Sequence, residues 1–408
     1  MLRDDQIRAC AQYVLQRARF VIETYGPRPP GSEAERKTQE LVKADLEACC
    51  DGPIAFEEFH VAQKAFFSMQ AVGGVLTLAG VGLYWIHPAI TLLTGIATVT
   101  VMYNQLLRYR LFLDPFFSKK PSYNVAGRQS PSRGVERRII LNGHPDAAYE
   151  WRFNYLAPRW FPLIVLYTLA GMVVLLAGSA IATIASIAAP VASATLVNVI
   201  GIIILLLAPA GFVGILFNNL SVVAGGANDN LSGTFIAVGI LRAMREHGIR
   251  LERTELMAVI TGSEEAGLRG AKVWAERHKS ECNDVETIVI ALDTFRDLPY
   301  LTIYNRDMNG TVAHDQMVCD LLKRAALATG RELPFGSIHL GSSDGAAFTQ
   351  AGFRVGMLGG MDPHPAHYYH NRRDSWEIMN EECIRATIEV LIEAIRMYDS
   401  KGLGRQSP

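Results

Sequence analysis

The sequence has 408 residues and a formal net charge of −1, with 50% hydrophobic but only 19% charged residues. This composition is not typical of a disordered protein or a coiled coil, and the near-zero charge gives no reason to expect nucleic acid as a partner. The charges are unevenly placed, because 43 residues between Lys64 and Arg108 and 69 residues between Arg159 and Asp229 include none. We therefore expect two parts of the chain to lie in a different solvent from the rest.

Each uncharged stretch divides into two apolar segments of membrane-spanning length. A hydrocarbon core of roughly 30 Å is crossed by about 20 apolar helical residues. Turns fall at His87-Pro88 and near Pro190, and Gly178, Ala182 and Ser186 have the spacing that lets helices approach closely in lipid. The four segments are 66–86, 89–107, 161–188 and 194–217. The sequence thus predicts four transmembrane helices in two hairpins, and buried core helices are the less favoured alternative.

The distribution of basic residues predicts the side of the membrane on which the polar chain lies. Lysine and arginine residues flank both hairpins at their polar ends, whereas neither hairpin turn contains any. The positive-inside rule then places the polar chain in the cytoplasm. The N-terminus lacks the apolar run of a secretory signal, and six cysteines without repeated spacing are expected to be reduced. We expect an integral, multi-pass membrane protein.

Helix-like and strand-like patterns alternate in the polar chain. This alternation is typical of a three-layer α/β/α domain around a mostly parallel mixed sheet. The hairpins interrupt that domain twice, so that it is predicted to consist of residues 1–64, 108–159 and 221–408, with transmembrane hairpins at 65–107 and 160–220.

Histidine and acidic residues follow predicted strands or lie in loops at five places along the polar chain. The five motifs are HPD (144–146), GANDNLSG (226–233), SEEAGLRGA (263–271), LDT (292–294) and HNRRDS (370–375). Imidazole and carboxylate groups are zinc ligands, and a zinc pair needs a bridging carboxylate plus further ligands on each ion. Each motif alone could be a helix cap or a solvated loop, and His364 with His367 could form a different metal site.

Taken in order, these motifs resemble the co-catalytic di-zinc peptidase family that includes secreted bacterial aminopeptidases and glutamate carboxypeptidases. The stretch GPRPPGSEAERKTQELVKADLE (26–47) and the strand YNVAGR (123–128) are similar to the lead-in of that family. The resemblance implies two zinc ions per chain. His144 and Asp293 would bind one ion, Glu265 and His370 the other, and Asp229 would bridge them.

The resemblance also implies roles for residues that do not bind metal. Glu264 would be the general base that takes a proton from the attacking water. Asp146 would orient the imidazole of His144, and Asp374 would act in the same way near His370. Tyr369 would donate a hydrogen bond to the oxyanion.

The sequence departs from the family at two points. Secreted relatives join the motifs of His144 and Asp229 by a short loop, whereas here the second hairpin intervenes. Asp229 follows the last apolar segment by only about a dozen residues, so we expect the active site near the membrane surface. In the segment GSSDGAAF (341–348), which resembles the family's substrate pocket, Gly345 stands where many relatives carry histidine.

The favoured interpretation is a membrane-embedded zinc aminopeptidase whose partners are a peptide substrate and the lipid bilayer. A carboxypeptidase or dipeptidase is the nearest alternative, because Arg269, Arg372 and Arg373 near the motifs could bind a free carboxylate. A non-catalytic receptor of the same fold would be expected to have lost ligands. A transporter would need polar residues within the apolar segments, where Asn198 is one candidate. The sequence does not set the oligomeric state.

Overall fold

A computed structural model of the protein describes residues 2–363 and 366–404. The chain divides into two compact units, and both are built from separate stretches of sequence. Unit 1 comprises residues 1–63, 119–148 and 223–408, and unit 2 comprises residues 64–118 and 149–222. Residues 108–118 and 149–159, which the sequence analysis assigned to the polar domain, belong to unit 2.

The helices of the two units, in chain order, are α1 (Asp4–Thr24), α2 (Glu33–Glu47), α3 (Gln63–Phe67), α4 (Met69–Leu83), α5 (Pro88–Met102), α6 (Arg152–Leu156), α7 (Phe161–Ala188), α8 (Ala194–Leu205), α9 (Ala208–Leu216), α10 (Gly233–Glu246), α11 (Arg269–Cys282), α12 (Gln316–Ala328), α13 (Asp344–Ala351) and α14 (Glu381–Lys401). The strands are β1 (Ala55–Val61), β2 (Lys120–Gln129), β3 (Arg137–Gly143), β4 (Tyr149–Trp151), β5 (Asn218–Val223), β6 (Thr254–Ile260), β7 (Glu286–Phe295), β8 (Leu301–Asp307), β9 (Val312–Ala313), β10 (Phe335–Ser337) and β11 (Arg354–Gly360).

Unit 1 is built on a mixed sheet with the order β1-β2-β6-β3-β7-β11-β8-β10, in which β9 also pairs with β8. The four central strands β6, β3, β7 and β11 are mutually parallel. Toward the edges, β1–β2, β2–β6, β8–β11 and β8–β9 pair antiparallel. A mixed sheet was predicted correctly, but its parallel part is confined largely to the centre. The short edge strands β8 to β10 have no clear periodic pattern in the sequence.

Alternate residues of the central strands face two different helical layers. Ile139 and Leu141 of β3 belong to the large apolar core formed with α1, α10, α12 and α14. Ile140, between them, is also fully buried but lies outside that core. On its side of the sheet, α11 and α13 pack together through Trp274 and Phe348, whose ring centroids are 5.6 Å apart. Burial on both faces explains why the central strands are continuous apolar runs.

Unit 2 consists mainly of apolar helices. Three helical spans are long and apolar enough to cross a membrane, namely Pro88–Leu107, Phe161–Ala188 and Ala194–Leu216. The remaining predicted segment forms α4, which has 15 residues and follows the separate short helix α3. At about 1.5 Å per residue, α4 is roughly 22 Å long, which is less than a hydrocarbon core. The described residues therefore support membrane association through three long helices, with α4 as a shorter fourth.

Small residues mediate the packing within unit 2. A Cβ on Gly74 of α4 would lie 2.4 Å from the carbonyl oxygen of Gly211 in α9, so only glycine allows this approach. Gly178 of α7 faces α8, where an added Cβ would lie 3.2 Å from Ile200. Close packing through small residues is typical of helices in lipid. Gly178 therefore lies at a helix contact, as its spacing predicted, and α4 makes the closer approaches, through Gly74 to α9 and through Gly80 to Thr94 of α5.

Candidate metal centre

The predicted ligands lie together at the carboxyl ends of the central strands of unit 1. Together with the predicted base Glu264 they form two groups, His144 with Glu264 and Asp293, and Asp229 with Glu265 and His370, and within each group one nitrogen or oxygen atom of each side chain lies within 4.8 Å of the others. His144 follows β3, Asp293 lies near the end of β7, and the Glu264–Glu265 pair follows β6. Parallel strands bring residues distant in sequence to the same edge of the sheet, which is where ligands bind in open α/β sheets.

The carboxylate of Asp229 lies between the two histidines. Its Oδ1 is 3.6 Å from Nε2 of His144, and its Oδ2 is 3.2 Å from Nε2 of His370. The same imidazole of His370 lies 3.3 Å from Oε2 of Glu265. Ligand atoms bonded to a tetrahedral zinc ion at about 2 Å stand roughly 3.3 Å apart. The spacing therefore fits a bridging role for Asp229, as predicted.

Polar atoms at the centre of the site lack hydrogen-bond partners. Nε2 of His144 and Oε1 of Glu265 are buried, and neither forms a hydrogen bond within the part of the chain that the structure describes. Buried polar atoms are nearly always paired, so such atoms need another explanation, for which an ion is one candidate. Nitrogen and oxygen donors in these two groups are the types that zinc accepts. The residues present thus fit the zinc ions that the resemblance implies.

Crowded carboxylates dominate the electrostatics of the site. Burial, and then the charges of neighbouring acids, raise the pKa of Asp293 to about 8 and the pKa values of Glu264 and Glu265 well above their ordinary range. Burial opposes protonation of His144, but nearby carboxylates, Glu264 first among them, raise its pKa well above 6.5. Burial also raises the pKa of Asp229, yet its contacts with His370 outweigh this and lower it. Cations would relieve this repulsion.

Asp146 lies behind His144 and also supports the loop that carries the two glutamates. Its Oδ1 is 3.3 Å from Nδ1 of His144, which leaves Nε2 of that ring directed at the cluster. The same carboxylate accepts hydrogen bonds from the backbone N–H groups of Glu264, at 3.1 Å, and Glu265, at 3.0 Å. Asp146 therefore has the position predicted for it and links the two loops in addition.

Asp374 supports the loop that carries Asp229. Its carboxylate accepts hydrogen bonds from the backbone N–H groups of Asn228, at 3.0 Å, and Asp229, at 3.1 Å, and from the side-chain amide of Asn228, at 2.6 Å. We expected Asp374 to orient the nearby His370, but these bonds place its carboxylate on the loop of Asp229. The sequence distance between Asp374 and Asn228 hides this relation, because only the fold brings the two loops together.

Tyr369 is half-buried beside the second group and stacks on the ring of His370, with ring centroids 3.9 Å apart. Burial, followed by the charges of Asp229 and Glu265, raises the pKa of its hydroxyl well above 10. The phenol therefore keeps its proton at neutral pH and is able to donate it in a hydrogen bond. This position is compatible with the predicted role at the oxyanion, which stays a prediction. His364, considered with His367 as another metal site, lies outside the described residues.

Two buried residues of the N-terminal lead-in, for which the sequence analysis predicted no role, also support the site. Glu35 of α2 accepts hydrogen bonds from the backbone N–H of Ser263, at 2.6 Å, and from the hydroxyl of Ser122, at 3.1 Å. Ser263, which has a φ of 54°, directly precedes Glu264. Arg28 is the second such residue. Both residues lie within the family-like lead-in, and Arg28 is the charged side chain of its glycine- and proline-rich start, which is the available sequence signal.

The segment resembling a substrate pocket forms the start of α13. Asp344 is buried there and accepts a hydrogen bond from the hydroxyl of Thr261. A Cβ on Gly345 would lie 3.2 Å from Cε1 of His314 and 3.2 Å from Cβ of Ala291. The imidazole of His314 thus packs against Gly345, and a histidine at position 345 would require it to move. Gly345, which departs from the family pattern, is therefore packed against the imidazole of His314.

Comparison with known families identifies the domain. Residues 213–395 match the family model described as Peptidase family M28. This region is similar to peptidase family M28. The match includes Asp229, Glu264, Glu265, Asp293 and His370, whereas His144 lies before it. The resemblance predicted from the sequence is confirmed by this match, and a zinc peptidase family implies zinc.

Solved structures share the fold at low sequence identity. An aminopeptidase from Aneurinibacillus sp. strain AM-1 has a TM-score of 0.56 and 12% identity, over 97% of this chain and 95% of that one. A zinc aminopeptidase from Bacillus subtilis has a TM-score of 0.56 and 13% identity, over 96% and 95%. A glutaminyl cyclase from an Acidobacteriales bacterium has a TM-score of 0.56 and 14% identity, over 96% and 95%. No curated protein matches the sequence. The M28 region and these neighbours support a zinc metallopeptidase.

Proposed function

We propose that this protein is a membrane-embedded di-zinc aminopeptidase that releases N-terminal residues from peptides. The observation that carries the proposal is the position of the Asp229 carboxylate between His144 and His370, with Glu264 in the adjoining group. A complete set of ligands and a base speaks against a non-catalytic receptor.

His144 and Asp293 would hold one zinc ion, Glu265 and His370 the other, and Asp229 both. Zinc bound there would acidify a water molecule and polarise the scissile carbonyl group. Glu264 is buried, and its raised pKa suits a group that accepts a proton and later returns it to the leaving amine. Asp146 fixes the backbone of Glu264, so the base is held in place before substrate arrives. The hydroxyl of Tyr369 would donate to the developing oxyanion.

The preference for the N-terminal end of a peptide rests on charge. Two zinc ions would balance the four carboxylates of the centre, and the further buried acids Asp146, Asp344 and Asp374 would then favour a free α-ammonium group over a C-terminal carboxylate. Of the arginines that could favour a carboxypeptidase, Arg269 is buried with Nε donating to the carbonyl oxygen of Ala266 at 2.8 Å, whereas Arg372 and Arg373 are exposed. A carboxypeptidase or dipeptidase remains the nearest alternative. Glutaminyl cyclase activity is a second candidate, because solved glutaminyl cyclases share the fold.

A peptide-end assay tests this proposal. The purified protein in detergent should release amino acids from peptides with a free N-terminus, including those with an amidated C-terminus. Acetylation of the N-terminus should abolish the reaction. Cleavage of N-acetylated peptides with a free C-terminus would instead indicate a carboxypeptidase. A peptide that begins with glutamine distinguishes glutaminyl cyclase activity from peptide hydrolysis, because cyclisation releases ammonia and leaves the chain uncut. No turnover of any of these peptides would contradict the proposed function.

We further propose that unit 2 crosses the membrane four times, with α4 as its shortest span, and that unit 1 lies in the cytoplasm. The uncharged stretches and the basic residues that flank them support this arrangement. The packing of Gly74 against Gly211 also supports a lipid-embedded bundle that includes α4. The bilayer is thus the proposed second partner of the chain.

Cysteine labelling tests this topology. All six native cysteines are buried, so an introduced exposed cysteine should dominate the signal. Val191, which is 92% exposed in the turn between α7 and α8, should be labelled as V191C by an impermeant maleimide added to intact cells. The S280C variant on the exposed surface of α11 should react only after the cells are permeabilised. Labelling of S280C in intact cells would contradict a cytoplasmic unit 1.

A further inference from the structure

Arg28 connects the two loops that carry His144 and Asp229. Its side chain is fully buried, and Nε donates a hydrogen bond to the carbonyl oxygen of Pro145 at 2.8 Å. Nη2 donates to the carbonyl oxygens of Gly225 and Gly226, both at 3.0 Å. One guanidinium group therefore binds both loops through different nitrogens.

These two loops lie at the two ends of the second insertion. Pro145 directly follows His144, and Gly226 lies three residues before Asp229, while residues 149–222 between them belong to unit 2. In a chain where the two loops are joined directly, a short connection would limit the distance between them. Here the connection is long, so contacts within unit 1 must set that distance.

Two backbone hydrogen bonds support the same junction. The N–H of Ala147 donates to the carbonyl oxygen of Arg28 at 2.9 Å, and the N–H of Ala224 donates to the carbonyl oxygen of Ala148 at 2.8 Å. The main chain thus joins the two segments that flank the insertion, and the Arg28 side chain acts nearer the metal-binding residues. Through its backbone and its side chain, Arg28 therefore contacts the segments that flank the insertion.

We propose that Arg28 is a positioning residue that holds the two metal-binding loops together across the insertion and thereby sets the separation of His144 and Asp229. This inference rests on the proposed di-zinc function. It predicts that Arg28 controls the affinity and geometry of the metal pair, although it binds neither ion.

The chemistry of the side chain suits this role. Burial lowers the pKa of Arg28 to about 10, while Asp374, Asp146 and Glu35 oppose the shift, so the group stays charged at neutral pH. Those three acids are the ones that support the loops of Asp229 and of Glu264. Lysine would keep a charge, but its three N–H donors share one nitrogen, which cannot occupy the positions of both Nε and Nη2 as the planar guanidinium does.

Gly226 offers a second way to disturb the junction without removing the charge. Its φ is +64°, and an added Cβ would lie 2.6 Å from Nη2 of Arg28 and 2.7 Å from Cβ of Ala147. Gly248 provides a matched control, because it has a φ of +63° and no atom within 4 Å of an added Cβ. The two glycine-to-alanine changes introduce similar backbone strain, but only the Cβ at position 226 crowds Arg28, together with Ala147 and the carbonyl oxygen of Asp229 at 3.0 Å.

Arg138 is the matched control for the loss of a buried arginine. It is 4% exposed, near the start of β3, and donates to Glu255 at 2.5 Å and to Asp284 at 2.8 Å. It therefore lies at the opposite end of the strand that leads to His144. Its replacement by lysine should reduce thermal stability but leave the metal centre unchanged.

The experiment measures Co²⁺ binding by the full-length protein in detergent, through the number of ions per chain, the affinity and the visible absorption spectrum. Arg28→Lys and Gly226→Ala should weaken Co²⁺ binding by about 10- to 100-fold and alter the spectrum, as loss of a residue supporting metal ligands does. Arg138→Lys and Gly248→Ala should bind Co²⁺ as the unchanged protein does. Circular dichroism establishes that each variant is folded.

Unchanged Co²⁺ affinity and spectrum in both Arg28→Lys and Gly226→Ala would overturn the inference, even if their melting temperatures fall. If Arg28→Lys does not fold, Gly226→Ala against Gly248→Ala decides alone. Failure of the proposed function is distinguishable, because an unchanged protein that binds two Co²⁺ ions but cleaves no peptide refutes the peptidase and leaves the metal-binding role of Arg28 testable. An unchanged protein that binds no Co²⁺ overturns both.

Discussion

Replacing Glu264 by glutamine should lower kcat for peptide hydrolysis by about 10²- to 10⁴-fold while leaving two zinc ions bound. The amide keeps the size of the side chain but cannot accept and return a proton. Glu264 and its neighbour Glu265 lie in different groups of the centre, so the two residues should respond differently to the same change. Steady-state kinetics and metal analysis on the same preparations provide the measurement.

Two controls define the interpretation of Glu264→Gln. Glu265→Gln should lose zinc as well as activity, because the amide replaces a proposed ligand to the second ion. Glu276→Gln, on the exposed surface of α11, should change neither. Loss of one zinc ion in Glu264→Gln would mean that Glu264 is a ligand, which its position in the group with His144 and Asp293 allows. Unchanged kcat would contradict its role as the base.

The sequence was sufficient to predict which side chains lie together at the centre, because short motifs carry residue types with few alternative uses in that combination. It also indicated where the domain is interrupted, since the absence of charge over 69 residues is a strong signal. The structure places His144 and Asp229 within 3.6 Å of each other despite the insertion. The pairing of β3 with β7 places His144 beside Asp293, whereas the loop of Asp229 is held by hydrogen bonds to Arg28 and Asp374.

Helix ends and long-range hydrogen bonds were less predictable. Hydropathy predicted a first apolar helix over 66–86, but α4 ends at Leu83, and the hydroxyl of Tyr84 donates to the carbonyl oxygen of Val197 at 2.8 Å. An apolar composition does not indicate where a helix ends, because tertiary contacts compete with helix propensity at the helix ends. Asp374 and Arg28 show the same limit, because their partners are backbone groups, which have no signature in the sequence.

Removal of metal should destabilise the protein, and the loss should grow as the pH rises from 5 to 8. The pKa of Asp293 is raised from 3.8 to about 8, and the pKa values of Glu264 and Glu265 are also raised. For a group whose pKa is raised on folding, the stabilisation is complete below the pKa of the unfolded chain and is lost as the pH rises through the folded value. The metal-free protein therefore weakens over this range, whereas bound zinc replaces protons and removes the repulsion.

Because protons and zinc compete for the same side chains, zinc binding at pH 7 should release protons, and zinc affinity should increase with pH. At a free zinc concentration of about 1,000 times Kd, one site adds roughly 4 kcal/mol to the free energy of unfolding. Thermal melts with zinc and with a chelator between pH 5 and pH 8 measure the difference, and calorimetry in buffers of different ionisation enthalpy counts the protons.

His370→Asn should lose most of the zinc-dependent stabilisation, whereas His247→Asn, on an exposed surface, should keep it. A zinc effect that is equal at pH 5 and pH 8 would contradict protonated acids in the metal-free centre, because no proton would then compete with the ion.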